Sequence, residues 1–165
     1  MKRIRTFGDE VLRTRCTSVT VIDERVRRWL RYLRETLLAS KGVGLAAPQI
    51  GIRRRIFLAR NPETEKVLTF INPEIVECCG QRIDLEGCLS FPEIFFSIQR
   101  AEKVTLTALD EHGRRLTTEA TGLLARCFQH ECDHLNGILI IDYASAEEKS
   151  FWKERLEKLR DRHRS

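Results

Sequence analysis

Hydrophobic positions recur with the spacing of a helix in three parts of the chain. The first helix is predicted to begin after Asp23, which is suited to cap it, and to end near Gly42. Its apolar face carries Val26, Leu30, Leu33 and Leu37. The second helix is predicted to begin at Thr121 and to end at Asn136 and Gly137. The apolar residues that repeat along the third helix are Trp152, Leu156 and Leu159.

Between the first two helices the pattern changes to one that is typical of strands. Residues 103–110 alternate between apolar and polar side chains, which indicates a strand with one buried face. The turn "DEHG" then predicts a partner strand at residues 114–119. Further strands are predicted at residues 55–59, 66–72, 74–79 and 138–141. The stretch "LEGCLSFPE" is expected to be a tight irregular loop, because Gly87 and Pro92 mark it.

Short turns connect these strands and helices do not alternate with them, so the sheet is predicted to be mostly antiparallel. The predicted fold class is α+β, with a mostly antiparallel sheet packed around a central helix, an N-terminal helix and a C-terminal helix. A chain of 165 residues can bury a core of its own. Residues 1–165 are therefore expected to form a single domain, in which residues 149–165 are a basic C-terminal helix.

The composition is that of an ordinary globular protein, with 42% hydrophobic and 32% charged residues. No apolar run approaches the roughly 20 residues that a membrane-spanning helix needs. The basic N-terminus "MKRIRTFGDE" lacks the apolar core of a secretory signal. The six cysteines include no CxxC pair, so free thiols are expected. We therefore expect a cytoplasmic protein.

The C-terminal tail carries an excess of positive charge. Residues 149–165 contain seven Lys or Arg and three Asp or Glu, a net charge of +4, and the whole chain carries +5. Such a tail suits contact with a polyanion such as RNA. A solvated helix face explains the same charges equally well, and both interpretations stay open at this point.

The nonapeptide "QHECDHLNG" carries the strongest chemical signal. His130 and His134 lie four residues apart on a predicted helix, so both imidazoles can reach one metal ion with Glu131 beside them. We expect this helix to be largely buried, because it also carries the apolar residues Leu123, Leu124, Phe128 and Leu135. Imidazoles and a carboxylate are costly to bury without partners, which favours a metal site.

A metal ion held by two histidines needs at least one further protein ligand. Cys127 is excluded, because seven residues separate it from His134, a rise of about 10 Å along the helix. Glu154 follows His134 by twenty residues, as the third ligand does in thermolysin-like zinc peptidases, although its neighbours suggest an exposed position. Cys88 lies in a segment of the kind that presents ligands, although a buried structural thiol fits its local sequence better. The choice between Glu154 and Cys88 stays open on these grounds.

Three motifs in a fixed order resemble those of the peptide deformylase family. They are "GVGLAAPQ" at residues 42–49, "EGCLS" at residues 86–90 and "QHECDH" at residues 129–134. Each matches the family pattern, GxGLAAxQ, EGCLS or QHExDH, at every fixed position. Glu10 and Cys132 depart from the residues usual in the family. The stretch "FPEIFFSIQR" is unusually aromatic, which leaves the sequence preference of the substrate groove open.

The resemblance implies a single catalytic domain that removes the formyl group from the N-terminal formyl-methionine of new polypeptides and releases formate. The implied ligands of one divalent metal ion are Cys88, His130 and His134. The usual ion of the family is Fe2+, and Zn2+, Ni2+ or Co2+ can replace it. Water on the metal would be the nucleophile, and Glu131 would act as general base and then as general acid. The Gln49 amide and the Leu89 backbone N–H would stabilise the oxyanion.

The resemblance also implies how the substrate binds. The peptide would lie as an added strand along "KGVGLAA" and bond to the backbone of Val43 and Gly44. The methionine side chain would enter an apolar pocket near Val43, Leu123 and Cys127. These expectations describe one groove between the first motif and the predicted helix.

The resemblance further implies which residues brace the site and which partners the protein contacts. Glu86 and Arg100 match family positions that are expected to pair and brace the EGCLS segment. Asp133 is expected either to orient a neighbouring group or to cap a turn. The basic C-terminal helix is implied to contact the ribosome. Membranes and DNA are not expected as partners.

Two other functions remain compatible with the residues taken without the resemblance. One is an HExxH peptidase in which Glu154 is the third ligand. The other is a basic ribosome- or RNA-binding module whose metal is structural. A structural metal site has four protein ligands, whereas a catalytic site keeps one position for water.

Overall fold

A computed structural model describes residues 1–164 of the chain. Four helices and seven strands are present within these residues. In chain order they are α1 (Glu24–Leu38), β1 (Gly44–Ala46), β2 (Ile56–Arg60), β3 (Val67–Cys79), β4 (Arg82–Cys88), β5 (Phe91–Arg100), β6 (Lys103–Leu109), β7 (Arg115–Thr121), α2 (Gly122–Leu135), α3 (Ala146–Phe151) and α4 (Lys153–Asp161). Short 3-10 helices are formed by Glu10–Arg13, Ala47–Ile50 and Ile140–Tyr143.

Five strands form one antiparallel sheet in the spatial order β1-β2-β3-β6-β7. Strand β1 lies at one edge of this sheet and pairs only with β2 among the described strands. Strands β4 and β5 form a separate antiparallel hairpin. The open edge of β1 leaves room for an additional strand, which matters for the site below.

Helix α2 packs on one face of the five-stranded sheet through aromatic residues. The ring of Phe70 lies 4.9 Å from that of Phe57 and 4.9 Å from that of Phe128, measured between centroids. All three side chains are fully or almost fully buried. Removing one such ring from a core costs about 3–5 kcal/mol. This packing therefore fixes how α2 lies on the sheet.

Helix α1 covers the opposite face of the sheet. It begins where the Asp23 carboxylate accepts a hydrogen bond of 3.0 Å from the Val26 N–H. Leu33 and Leu37 are completely buried in a cluster that includes Ile71 of β3. The apolar face of α1 is thus used for packing, and its other side faces outward.

The hairpin and the C-terminal helix share a third core cluster. Leu156 and Leu159 of α4 pack in it with Phe91 of β5 and Phe7 near the N-terminus. The rings of Phe7 and Phe91 stack at 5.0 Å between centroids. The apolar side of α4, which carries Leu156 and Leu159, therefore packs against the hairpin.

The predicted fold class is confirmed: the protein is α+β with mostly antiparallel strands, and α2 lies against the main sheet. The caps of α1 and α2 also lie where the sequence placed them, at Asp23 and Thr121. At the end of α2, Gly137 has a φ of 74°, and a Cβ there would meet the Arg13 carbonyl oxygen at 2.7 Å. No helix within residues 1–164 is long and apolar enough to cross a membrane.

Two predicted strands are in fact one. Residues 66–72 and 74–79 belong to the continuous strand β3, which bends between them. The bend occurs at Asn72, which has a φ of 51°. Its side-chain amide bonds both the N–H and the carbonyl of Val19 at 2.8 Å, which stabilises this unusual backbone.

The predicted strand at residues 138–141 is wrong. Residues 138 and 139 belong to no strand, and the 3-10 helix Ile140–Tyr143 begins directly after them, where the Asp142 carboxylate accepts a hydrogen bond from the Leu139 N–H. Arg13 also forms an ion pair with Asp142. Apolar residues with local polar capping resemble a short strand in sequence, which explains the error.

The expected irregular loop at "LEGCLSFPE" is also wrong. Only Leu89 and Ser90 form a turn, and the residues on either side belong to β4 and β5. The C-terminal helix is divided into α3 and α4 at Trp152. Ser165, the last residue of the predicted basic helix, lies outside the described residues.

Candidate metal centre and substrate groove

Cys88 lies beside the two histidines of α2. The possible ligand atoms of Cys88, His130 and His134 all lie within 4.8 Å of one another. The Sγ atom of Cys88 is 3.3 Å from Nε2 of His134. These three residues come from β4 and α2, more than forty positions apart in the chain. They form the only such group within residues 1–164.

The turn of the β4–β5 hairpin presents Cys88. Cys88 pairs with Phe91 across a two-residue turn, and the strand register shifts between Gly87 and Cys88. A Cβ on Gly87 would lie 2.7 Å from the Phe95 ring, so this position has no room for a side chain. The Ser90 N–H also points at the Cys88 sulfur, at 3.4 Å. Together these features turn the thiol toward α2.

The rival ligands lie elsewhere. Glu154 is exposed on α4 and does not belong to the group of possible ligands. Cys127 is buried on α2 but is also outside that group. Cys132 packs against the core between α2 and the main sheet. The structure thus places neither alternative sulfur nor Glu154 with the two histidines.

Glu86 of β4 connects the hairpin to α2. Its Oε2 accepts a hydrogen bond of 2.8 Å from Nδ1 of His130. Arg100 binds the same carboxylate with two donors, at 3.1 and 2.7 Å, and Arg126 adds a third at 3.1 Å. All four residues are buried. With Nδ1 of His130 bound in this way, its Nε2 is the atom that remains for a metal.

The network continues outward from Arg100. Its Nη1 donates to the Asp133 carboxylate at 2.6 Å, and the Tyr143 hydroxyl donates to the same carboxylate oxygen at 2.6 Å. Asp133 therefore orients Arg100 rather than capping a turn with its side chain. The guanidinium of Arg100 also lies over the Tyr143 ring at 4.7 Å.

These contacts set the protonation of the site. Burial favours a higher pKa for Glu86, but hydrogen bonds from His130 and Arg100 outweigh it and hold the pKa well below its usual value. Burial alone would lower the pKa of His130, but Cys88 and Glu86 raise it well above its usual value. Burial and then the neighbouring His130 lower the pKa of His134. Metal binding therefore competes with protonation of His130.

Glu131 is buried next to the ligands and to β1. Only 2% of the residue is exposed, and its Oε2 has no hydrogen-bond partner within residues 1–164. A Cβ on Gly44 would lie 2.8 Å from Oε1 of Glu131 and 2.7 Å from Sγ of Cys127. Glycine at position 44 thus allows the edge strand to touch the helix. Burial raises the pKa of Glu131 to about 7, which suits a group that exchanges protons near neutrality.

Gln49 is held in one orientation. Its Oε1 accepts a hydrogen bond of 2.9 Å from the Ala46 N–H. Its Nε2 therefore faces the hairpin turn, where it lies 3.1 Å from the Ser90 hydroxyl and 3.6 Å from the Cys88 sulfur. A fully buried amide with a fixed carbonyl can present only N–H donors to this site.

A groove of about 720 Å³ runs beside these residues. Val43, Gly44, Leu89 and Cys127 line it together with Leu123, whose side chain is 53% exposed at its rim. The expectation that α2 is buried around Leu123 is therefore wrong for its first turn. That turn projects beyond the sheet and borders the groove.

The edge strand β1 offers the groove a row of backbone groups. The carbonyl of Val43 already accepts a hydrogen bond from the Arg60 N–H. Because the direction of backbone groups alternates along an antiparallel strand, those of Gly44 face the open edge. Gly44 is thus better placed than Val43 to bond an added strand.

The sequence analysis missed three groove residues, Leu85, Phe95 and Arg126. Arg126 precedes His130 by four residues and so shares its helix face, a signal that was present in the sequence. Leu85 was missed because the hairpin itself was not predicted, and Phe95 was noted only as part of the aromatic stretch 91–100.

The residues of the site fit a bound divalent metal. Nε2 of His134 faces the Cys88 sulfur, and Oε2 of Glu131 is buried near this group without a hydrogen-bond partner in the described chain. Buried polar atoms of this kind call for a missing partner. One sulfur and two imidazole nitrogens are donors that suit zinc or iron.

The sequence and the fold of this chain are similar to those of known proteins. The sequence model of the polypeptide deformylase family matches residues 1–150. A peptide deformylase of Thermomicrobium roseum is 45% identical over 149 residues, which covers 86% of this chain and 85% of the relative.

Solved structures agree with the sequence matches. The crystal structure of a peptide deformylase from Legionella pneumophila has a TM-score of 0.91 at 36% identity and covers 98% of this chain and 96% of its own. The crystal structure of a peptide deformylase from Synechococcus elongatus in complex with actinonin has a TM-score of 0.87 at 37% identity. It covers 92% of this chain and 86% of its own. The chain therefore belongs to the peptide deformylase family, the metal-dependent hydrolases that remove the formyl group from the N-termini of new polypeptides.

Proposed function

We propose that Cys88, His130 and His134 hold the single divalent metal ion at which this chain deformylates its substrate. The observation that carries the proposal is the convergence of three ligand atoms within 4.8 Å, beside a groove that also contains Glu131. Three protein ligands leave one position open for water, as in other catalytic metal sites. In this proposal residues 1–165 act as one catalytic domain.

The bound ion would lower the pKa of a water molecule enough for it to attack the formyl carbon near neutral pH. Glu131 would accept a proton from the attacking water as general base and would then donate it to the leaving amine as general acid. Its raised pKa, about 7, suits both transfers. The Gln49 Nε2–H and the Leu89 backbone N–H donate to the oxyanion. Gln49 is suited to this task because its carbonyl is already bound to Ala46.

The substrate is a nascent peptide that begins with formyl-methionine. Its backbone adds to the open edge of β1 at Gly44, and its methionine side chain occupies the part of the groove near Val43, Leu123 and Cys127. An added strand there would place the peptide alongside Cys88 and Glu131. Because Gly44 has no side chain, β1 can lie against Glu131 and Cys127, and its open edge is close to the site.

Ferrous iron is the metal that we infer. The family usually contains Fe2+, and a thiolate with two imidazoles suits iron as well as zinc, nickel or cobalt. A thiolate ligand donates more charge than a third imidazole would. Because Cys88 would bind a redox-active ion, its sulfur would be susceptible to oxidation.

The C-terminal helices provide a candidate ribosome contact, which would place the reaction in the cytoplasm, where new chains begin. The apolar seam of α4 is used for packing, whereas Lys153, Lys158 and Arg162 are exposed. Phe151 is also 78% exposed beside them.

Replacing Glu131 with Gln should leave the metal content unchanged and reduce kcat by roughly 10²–10⁴-fold or more, because both proton transfers depend on the carboxylate. Formate release and metal content are measured on the same sample. Glu157→Gln, at an exposed position on α4, is the matched control and should retain normal turnover. Near-normal turnover of Glu131→Gln with its metal retained would contradict the role given to Glu131.

Replacing Cys88 with Ala should remove most of the metal and abolish activity, because two imidazoles alone hold a divalent ion weakly. Cys79→Ala, which removes an exposed thiol on β3, should change neither quantity. Glu154→Ala should also behave as the unaltered protein does. Loss of metal from Glu154→Ala with metal retained in Cys88→Ala would support a thermolysin-like site instead.

Iron-loaded protein should lose activity in air faster than nickel-loaded protein, because only iron readily drives oxidation at the Cys88 sulfur. The half-lives of both forms are measured under oxygen and under nitrogen. Equal half-lives under oxygen would argue against iron chemistry at this ligand.

Reversing Lys158 and Arg162 to Glu should weaken co-sedimentation with ribosomes and reduce its salt dependence, while turnover of a short formyl peptide stays within a few-fold. The matched control reverses Arg114 and Arg115, two exposed residues next to and in β7. Equal binding of the tail variant and the unaltered protein would make the tail an ordinary solvated helix.

A further inference from the structure

The first sixty residues carry more net positive charge in total than the C-terminal tail does. Residues 1–60 contain fifteen Lys or Arg and five Asp or Glu, a net charge of +10. Residues 61–148 contain seven basic and sixteen acidic residues, a net charge of −9. The expectation that the tail supplies the basic surface of the protein is therefore incomplete.

Helix α1 gathers much of this charge on its outward side. Arg25, Arg28 and Arg31 follow one another at intervals of three residues, so they lie along one side of the helix, and all three are exposed. Lys2 lies 4.7 Å above the Tyr32 ring, and Arg54 lies 5.9 Å from the Trp29 ring. We call the group of Lys2, Arg25, Arg28, Arg31 and Arg54, with Trp29 and Tyr32, the α1 basic surface.

Glu24 and Glu35 of α1 lie near this surface, and the amino terminus, helped by Arg31, lowers the pKa of the Glu35 carboxyl, but neither acid forms a salt bridge with the surface. Glu24 forms its ion pair with Arg27, and Glu35 forms one with the amino terminus. The five basic residues of the α1 basic surface form no salt bridge with any residue among positions 1–164. Unpaired cations along one helix side produce a positive field that favours a polyanionic partner.

Arginine dominates the basic residues here. Thirteen of the fifteen basic residues in positions 1–60 are Arg. The planar guanidinium binds phosphate with two parallel hydrogen bonds and is more weakly hydrated than an ammonium group. Arg25 also lies 5.0 Å from the Trp29 ring, which restrains its side chain before any partner binds. This composition suits a partner that presents many phosphate groups.

We propose that the α1 basic surface binds the phosphate backbone of structured RNA. An anionic membrane is less suitable as a partner, because surface-bound helices insert a continuous apolar face, and that of α1 is already buried against the sheet. The partner would be recognised by its charge rather than by its sequence, since a row of arginines on a helix side offers phosphate contacts.

The location of the surface leaves the groove free. Helix α1 lies on the face of the main sheet opposite α2, which carries His130 and His134. The chain leaves α1 at Leu38 and reaches the groove at Lys41. An RNA bound along α1 would thus lie near the groove entrance without filling it. The surface is separate from the tail discussed above and does not depend on its contact with the ribosome.

The test measures binding of a 20-base-pair RNA duplex at several salt concentrations, with R28E/R31E as the main variant. The unaltered protein should bind with an affinity that falls steeply with salt. The variant should bind at least about tenfold more weakly, and the slope of log Kd against log salt should fall by about 1–2. Formate release from a short formyl peptide should be unchanged.

Two controls separate the α1 basic surface from general charge. R114E/R115E produces the same change in net charge at two exposed residues that are not part of the α1 basic surface, and it should bind RNA within about twofold to threefold of the unaltered protein. K158E/R162E tests the tail in the same assay. Equal losses in R28E/R31E and R114E/R115E, or a loss only in K158E/R162E, would overturn the proposal.

The source of the anion is tested with two further probes. Vesicles of phosphatidylserine and phosphatidylcholine and soluble polyglutamate should both bind more weakly than the RNA duplex. Binding of either probe as tight as that of RNA, lost in R28E/R31E, would overturn the assignment to RNA. Thermal unfolding of each variant is compared with the unaltered protein, and R28Q/R31Q, which introduces no new charge, should show an intermediate loss of RNA binding.

Discussion

The buried carboxylate of Glu86 connects the two parts of the chain that make the site. It lies on the β4–β5 hairpin and is bound by Arg100, Arg126 and His130. Each donor depends on the others, because an unpaired charge at this depth is destabilising, and breaking a buried pair costs about 3–5 kcal/mol. The same carboxylate fixes the ring of His130 and, through its own strand, the position of Cys88 two residues later. The positions of the proposed metal ligands and the packing of the hairpin against α2 therefore depend on the same carboxylate.

The residues around the proposed metal centre are also buried and held in one orientation. Glu131 lies between the ligands and Gly44, and the lack of a side chain at Gly44 permits the contact. Gln49 has its carbonyl bound to the backbone, so that only its N–H donors face Cys88 and Ser90. Each group is thus oriented before substrate arrives, which is the condition for stabilising a transition state with little reorganisation.

Much of the site could be predicted from the sequence, because its parts are local motifs. His130, Glu131 and His134 lie within five residues, and helical periodicity places the two histidines on one face. The inclusion of Cys88 rested on resemblance, since no local rule joins residue 88 to residue 130. Arg126 could have been found from its spacing to His130, whereas Tyr143 approaches Asp133 only through the path of the chain after α2.

The fold was predictable where burial alternates regularly and was missed where it does not. The capping residue Asp23 and the regular apolar face of α1 are strong local signals for a helix. In the hairpin, Phe95 and Phe96 are adjacent aromatic residues of which only Phe96 is buried, so the alternation is hidden in the sequence. At residues 140–143 the carboxylate of Asp142, held by Arg13 far earlier in the chain, decides the backbone conformation. The surface charge was visible in the sequence, but only the structure shows which arginines share one side of α1.

The most direct test of the account is formate release from formyl-Met-Ala-Ser by protein purified without oxygen, with the metal content of the same sample determined. We expect release of one formate per peptide, loss of release after the metal is removed by a chelator, and recovery when Fe2+ is returned. The acetylated peptide should remain intact. No formate release by protein that contains one bound metal ion per chain would contradict the account.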